Sequence, residues 1–196
     1  MKIKKSAIFL LLISLSIISC KKIIESAASL GKDEVKIEEL KKININDEYA
    51  VSVPEYMTEL KSLHDDASFQ YANLFKETYI VVIDESKEEF ISTFKELEIY
   101  NDSLTPLENY SNFQLKSFKE SIGALEVKKL YSKIKNLPSQ IHKFNGEVEG
   151  LDIAYLVSFV EADKKMYMIM SWTMKNRYSK YKETFKLIHS TFKLIL

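Results

Sequence analysis

The spacing of apolar and polar residues changes several times along this chain, and each change marks an element. Tyr49-Ala-Val-Ser-Val-Pro54 alternates and stops at a proline, which predicts a strand ending in a turn. Residues 68–74 and 78–83 follow as a pair of strands meeting near Lys76-Glu77. In the second of these, Tyr79-Ile-Val-Val-Ile83 is apolar at consecutive positions. Such a strand needs cover on both faces, so its sheet lies between two layers.

The period then lengthens. Ser86 with Glu89 three residues on has the pattern of a capping box, and Phe90, Ile91, Phe94 and Leu97 fall on one face of the helix behind it. Thr105 and Pro106 start a second helix with a stripe of Leu107, Tyr110, Phe118 and Ile122, and Gly123 ends it. Strands are predicted again over 127–134, 139–149, 151–161 and 166–174, with Gly150 and Ala162-Asp-Lys-Lys165 as turns. Strands joined so tightly run antiparallel. Tyr181, Phe185, Ile188 and Phe192 recur at helical spacing and predict a C-terminal helix docked on the sheet.

The first 46 residues follow neither period. Lys2, Lys4 and Lys5 precede an apolar run from Ala7 to Ile18, and Ser19 stands before Cys20, the one cysteine of the chain. This is the layout of a secretory signal, with a run too short to span a bilayer comfortably, since a hydrocarbon core needs roughly 20 apolar residues. Ile17-Ile-Ser-Cys20 resembles the lipobox of bacterial lipoproteins, which implies cleavage before Cys20 and acylation of its sulfur. Residues 1–19 are then the signal peptide, 20–46 a lipidated tether of mixed Ser, Ala, Lys and Glu, and 47–196 one globular domain. Two or three acyl chains hold a protein on its membrane where one does so only reversibly. With the sole cysteine consumed, the domain relies on its core rather than on disulfides.

Several short motifs add a second resemblance. Tyr49 to Pro54 as first strand and proline turn, Glu147-Val-Glu-Gly150 between two long strands, Trp172 near the end of the last, and Thr191-Phe192-Lys193 closing the final helix resemble the PsbP-like family, which includes DcrB-like bacterial lipoproteins. The resemblance implies an α+β fold, a mainly antiparallel sheet flanked by helices on both faces in an α/β/α sandwich. It also implies a binding or assembly protein rather than a catalyst, and it supplies no catalytic residue or cofactor.

Charge narrows the partners. The chain has 28 basic and 28 acidic residues, and losing Lys2, Lys4 and Lys5 leaves a net charge of about −3, which offers no basic face for nucleic acid. His64-Asp65-Asp66 is the one place where histidine adjoins carboxylates, a pattern that suits a general base or a cation but also an ordinary solvated turn. His142 and His189 have no spaced partners, no Gly-x-Ser-x-Gly elbow exists, and four glycines leave little for a phosphate loop. Met166, Met168, Met170 and Met174 share one strand face with Trp172. Thioethers there are either Cu(I) ligands or pliable core filler, and packing is the expected role. The leading expectation is a non-catalytic, lipid-anchored binding or assembly module for another envelope component, at the periplasmic face of the outer membrane. The alternative is a periplasmic lipoprotein that binds Cu(I) through the methionine strand or a small apolar molecule.

Overall fold

The computed structural model describes residues 31–130 and 133–195, so Cys20, the expected signal peptide and the first part of the expected tether lie outside the described residues. Among the described residues there are ten strands: β1 Leu40–Ile45, β2 Tyr49–Pro54, β3 Thr58–Glu59, β4 Ala67–Asn73, β5 Thr78–Ser86, β6 Leu125–Leu130, β7 Ser139–Val148, β8 Leu151–Glu161, β9 Lys165–Met174 and β10 Lys193–Leu194. Three α-helices join them: α1 Lys87–Glu96, α2 Pro106–Ile122 and α3 Tyr178–Thr191. The main sheet has the order β3-β4-β5-β9-β8-β7-β6, and β2 lies between β1 and β10 in a second, three-stranded sheet. Every pairing in both sheets is antiparallel.

The consecutive apolar run is covered on both faces as expected: Ile80, Val81 and Val82 are fully buried. Ile80 and Val82 face a core built with Tyr49, Val51 and Val53 of the small sheet and Tyr181, Phe185 and Ile188 of α3. On the other face Phe90 of α1 and Leu107 and Tyr110 of α2 pack on Phe144, Phe159, Met166 and Met168. Helices therefore flank the main sheet on both sides, with the small sheet beside α3.

Local signals hold the helices where the sequence puts them. The Thr105 hydroxyl accepts from Glu108 N at 3.2 Å while Glu108 Oε2 accepts from Thr105 N at 2.9 Å, a complete capping box before Pro106. Ser86 makes only half of one, its hydroxyl accepting from Glu89 N. Gly123 caps α2 in the left-handed region at φ 58. A side chain at Gly146 would meet Ile122 Cδ1 at 2.7 Å, so a glycine there lets the end of α2 lie directly on β7.

Two boundaries differ from expectation. The strand expected over 127–134 runs from Leu125 to Leu130. More consequentially, the tether expected over 20–46 ends well before 46. Leu40–Ile45 pairs along its whole length with β2, and Ile45 joins the core. Its outer face is polar, as befits an edge strand, and that hid the alternation. Asp33 is built into the domain too: its backbone N–H donates to Lys180 O at 2.9 Å, and its carboxylate accepts from the hydroxyls of Tyr56 and Thr184 and from Lys76 Nζ.

Candidate functional site

Register brings four aromatic residues into one row across the main sheet. Tyr79 is opposite Trp172, Trp172 opposite Tyr155, and Tyr155 opposite Phe144. The rings stack in turn, with centroids 5.2 Å apart for Tyr79–Trp172, 6.5 Å for Tyr155–Trp172 and 5.2 Å for Phe144–Tyr155. Phe118 of α2 closes over Phe144 at 5.1 Å. Trp172 and Tyr79, at the far end of the row, are only half-buried. Helices α1 and α2 thus cover one part of this face and leave the other as a groove of about 300 Å³.

The groove is floored by Ile153, Tyr155, Met170 and Trp172, with Leu63 and His64 on one wall and Val148, Glu149 and Leu151 on the other. Both walls are fixed. Gln70 Oε1 accepts from Leu63 N and His64 N at 2.9 and 3.0 Å, and Gln70 Nε2 donates to His64 O at 2.9 Å, which locks the loop after β3. Glu149 and Gly150 both take positive φ, 52° and 78°, the conformation of a tight hairpin turn. Val148 and Leu151 beside that turn are 39% and 51% exposed. A floor of π faces, one aliphatic side chain and one thioether, edged by further aliphatic side chains, is suited to apolar or aromatic groups by stacking and burial.

The structure sorts the residues singled out in the sequence. Met166 and Met168 are 0% and 5% exposed, packed in the core beneath α1 and α2, so two of the three candidate thioethers have no open coordination position. Met170 and Trp172 reach the groove, as does His64. His64, Asp65 and Asp66 do not converge: all three are exposed, His64 Nδ1 accepts from Asp66 N at 3.2 Å in an ordinary turn, and no cluster of metal-ligating His, Cys, Asp or Glu exists among the described residues. The aromatic row could have been found only by knowing the register, because Tyr79, Phe144, Tyr155 and Trp172 belong to four different strands.

His189 is wholly buried between two serines, with Nδ1 2.7 Å from the Ser158 hydroxyl and Nε2 3.0 Å from that of Ser171. Burial pushes its pKa down to about 3 and keeps the ring neutral. Both serines are 0% exposed and no carboxylate orients the ring, so this is a packed polar bridge and not a nucleophile that a substrate can reach. A second cavity, of about 380 Å³, lies against His189, Ile141 and Leu156. One wall is formed by Leu130 and Lys133, on either side of the undescribed pair 131–132. The half-open groove over Trp172, bounded wholly by described residues, is the candidate site. His142, on β7, is 6% exposed; burial and then Lys129 push its pKa down to about 4.

No family model and no curated protein matches the chain. Solved structures do. CyanoP, a PsbP protein of the cyanobacterium Synechocystis sp. PCC 6803, is similar at 14% identity with a TM-score of 0.54, over 84% of this chain and 98% of that one. LpqN of Mycobacterium tuberculosis, described as involved in cell envelope biogenesis, is similar at 8% identity with a TM-score of 0.45, over 76% of this chain and 83% of that one. The likeness to CyanoP shows the fold: this chain has the PsbP-like α+β architecture, with its half-open aromatic groove on one face of the main sheet.

Proposed function

We propose that the protein is a non-catalytic binding module of the bacterial cell envelope, held by a lipid on Cys20 at the periplasmic face of the outer membrane, and that the groove over Met170 and Trp172 receives an apolar side chain of another envelope protein. The observation that carries this reading is the unfinished cover of the main sheet: α1 and α2 bury Phe144 and Phe159 but leave Trp172, Met170, Val148 and Leu151 accessible. The lipobox-like Ile17-Ile-Ser-Cys20 supports the anchor. A small apolar molecule uses the same floor in the second reading; Cu(I) has no such support, since Met166 and Met168 pack in the core.

A photo-crosslinking residue at Leu151 in the full-length protein in cells tests it, with one at the exposed Lys186 of α3 as reference. The expected result is a discrete adduct from position 151 that is absent from position 186 and lost when Val148→Asp is added. Adducts of equal strength from both positions, or none from 151, count against the groove.

A further inference from the structure

The turn between β4 and β5 displays Leu74 and Phe75 at 64% and 96% exposure, in a setting where Gly, Asn, Asp or Ser is the usual choice. The turn is stiff: Asn73 Oδ1 accepts from Lys76 N at 2.8 Å, and Glu77 takes the left-handed conformation at φ 50. The chain enters the domain beside it, because Lys76 Nζ donates to Asp33 Oδ1 at 3.0 Å and the Asp33 side chain is 8% exposed. Asp33 follows Cys20 by 13 positions. That length spans at most about 43 Å fully extended and about 20 Å as a relaxed coil.

We propose that Leu74 and Phe75 form a membrane-insertion tip that enters the acyl layer holding Cys20; the proposal rests on the lipid anchor of the reading above. A single exposed aromatic does not hold a free protein to lipid, but the anchor makes its insertion an intramolecular step at high effective concentration. Neighbouring charges are already paired, Lys76 with Asp33, Arg177 with Glu77 at 3.1 Å and Lys175 with Asp152 at 3.6 Å, so burial rather than attraction to anionic lipid drives the contact. At the same end of the sheet, by the register Tyr79–Trp172 and Ile153–Met174, the β7–β8 turn carries the exposed Glu147 and Glu149. Repulsion between these carboxylates and phosphate headgroups keeps that corner, and the mouth of the groove, in water.

Residues 20–196 are coupled through Cys20, the only cysteine, to maleimide-headgroup lipid in phosphatidylethanolamine–phosphatidylglycerol vesicles. Coupling imposes the anchor whether or not cells acylate the protein. Phe75→Trp is compared with the wild type, whose one tryptophan, Trp172, gives the background. The expected result is emission at shorter wavelength on coupling, quenching by brominated acyl chains, protection from aqueous iodide, and no dependence on salt. Emission that is unshifted and iodide-accessible on coupled vesicles overturns the tip while leaving the anchor standing, since fatty-acid labelling of Cys20 in cells judges the anchor separately.

Discussion

His142 and His189 are the histidines whose protonation differs between the folded and unfolded chain in the mildly acid range. Burial keeps both neutral in the fold, with pKa values of about 4 and about 3 against an ordinary 6.5. Between pH 6.5 and 4 the unfolded chain therefore binds protons that the native state refuses. Stability is full above pH 6.5 and falls on acidification by up to about 1.4 kcal/mol per pH unit for each ring. Glu85 acts in the opposite sense, because burial raises its carboxyl pKa and the fold gains a proton first. His142 Nδ1 finds no hydrogen-bond partner among the described residues, so His142→Leu removes an unsatisfied polar atom along with the titration. Its stability at pH 7 should lie within about 1 kcal/mol of wild type, and its loss between pH 7 and pH 5 should be about half as steep. Urea midpoints at the two pH values check this; an unchanged slope would show that His142 is charged in the fold. Nothing in the local sequence separated these two histidines from exposed His64, because burial depends on which strand and helix faces meet.

Strand β1 shows how an element can be hidden in a sequence. Leu40, Ile43 and Ile45 are interrupted by Lys41, Lys42 and Asn44, a composition that resembles a linker and suits an edge strand equally well. Its readable signal was the turn after it: Asn46 and Asp47 both take positive φ, 48° and 55°, which these residue types tolerate better than most. A chain starting at residue 47 should lose the pairing of β1 with β2, the burial of Ile45 and the buried carboxylate of Asp33. The expected cost is about 4 kcal/mol or more, together with association through the uncovered edge of β2. A chain starting at residue 31 should match the full-length domain. Thermal unfolding and sedimentation of the two lengths decide the matter, and equal stability would reduce β1 and Asp33 to ornaments of a self-sufficient core.

At the scale of the molecule, the two faces of the main sheet are covered differently. One is covered by α3 and the small sheet, apart from the cavity beside His189, with Tyr49 packed on Tyr167 and Phe192 at 5.4 Å each. The other is sealed only as far as α1 and α2 reach. If the protein works at a membrane, its place there depends on one sulfur, so Cys20→Ser should abolish fatty-acid labelling and leave an unprocessed or mislocalised precursor. Labelling that persists in the variant would remove the anchor from the functional reading.

The sequence by itself determined the order of the elements wherever a short-range pattern was strong: the apolar run of β5, the Thr105 cap and Gly123 stop of α2, and the stripe of α3 are all set by residues within a few positions of one another. It also determined that the main sheet lies between two layers, since a strand apolar on both faces demands cover on each. The tertiary structure alone decided what depends on register and on distant packing. It placed Tyr79, Phe144, Tyr155 and Trp172 in one row, separated buried Met166 and Met168 from groove-facing Met170, and joined Asp33 to Tyr56, Lys76 and Thr184. Those partners lie far apart in the chain, and no periodicity within one segment encodes which strand will lie beside it or where a helix will stop covering the sheet.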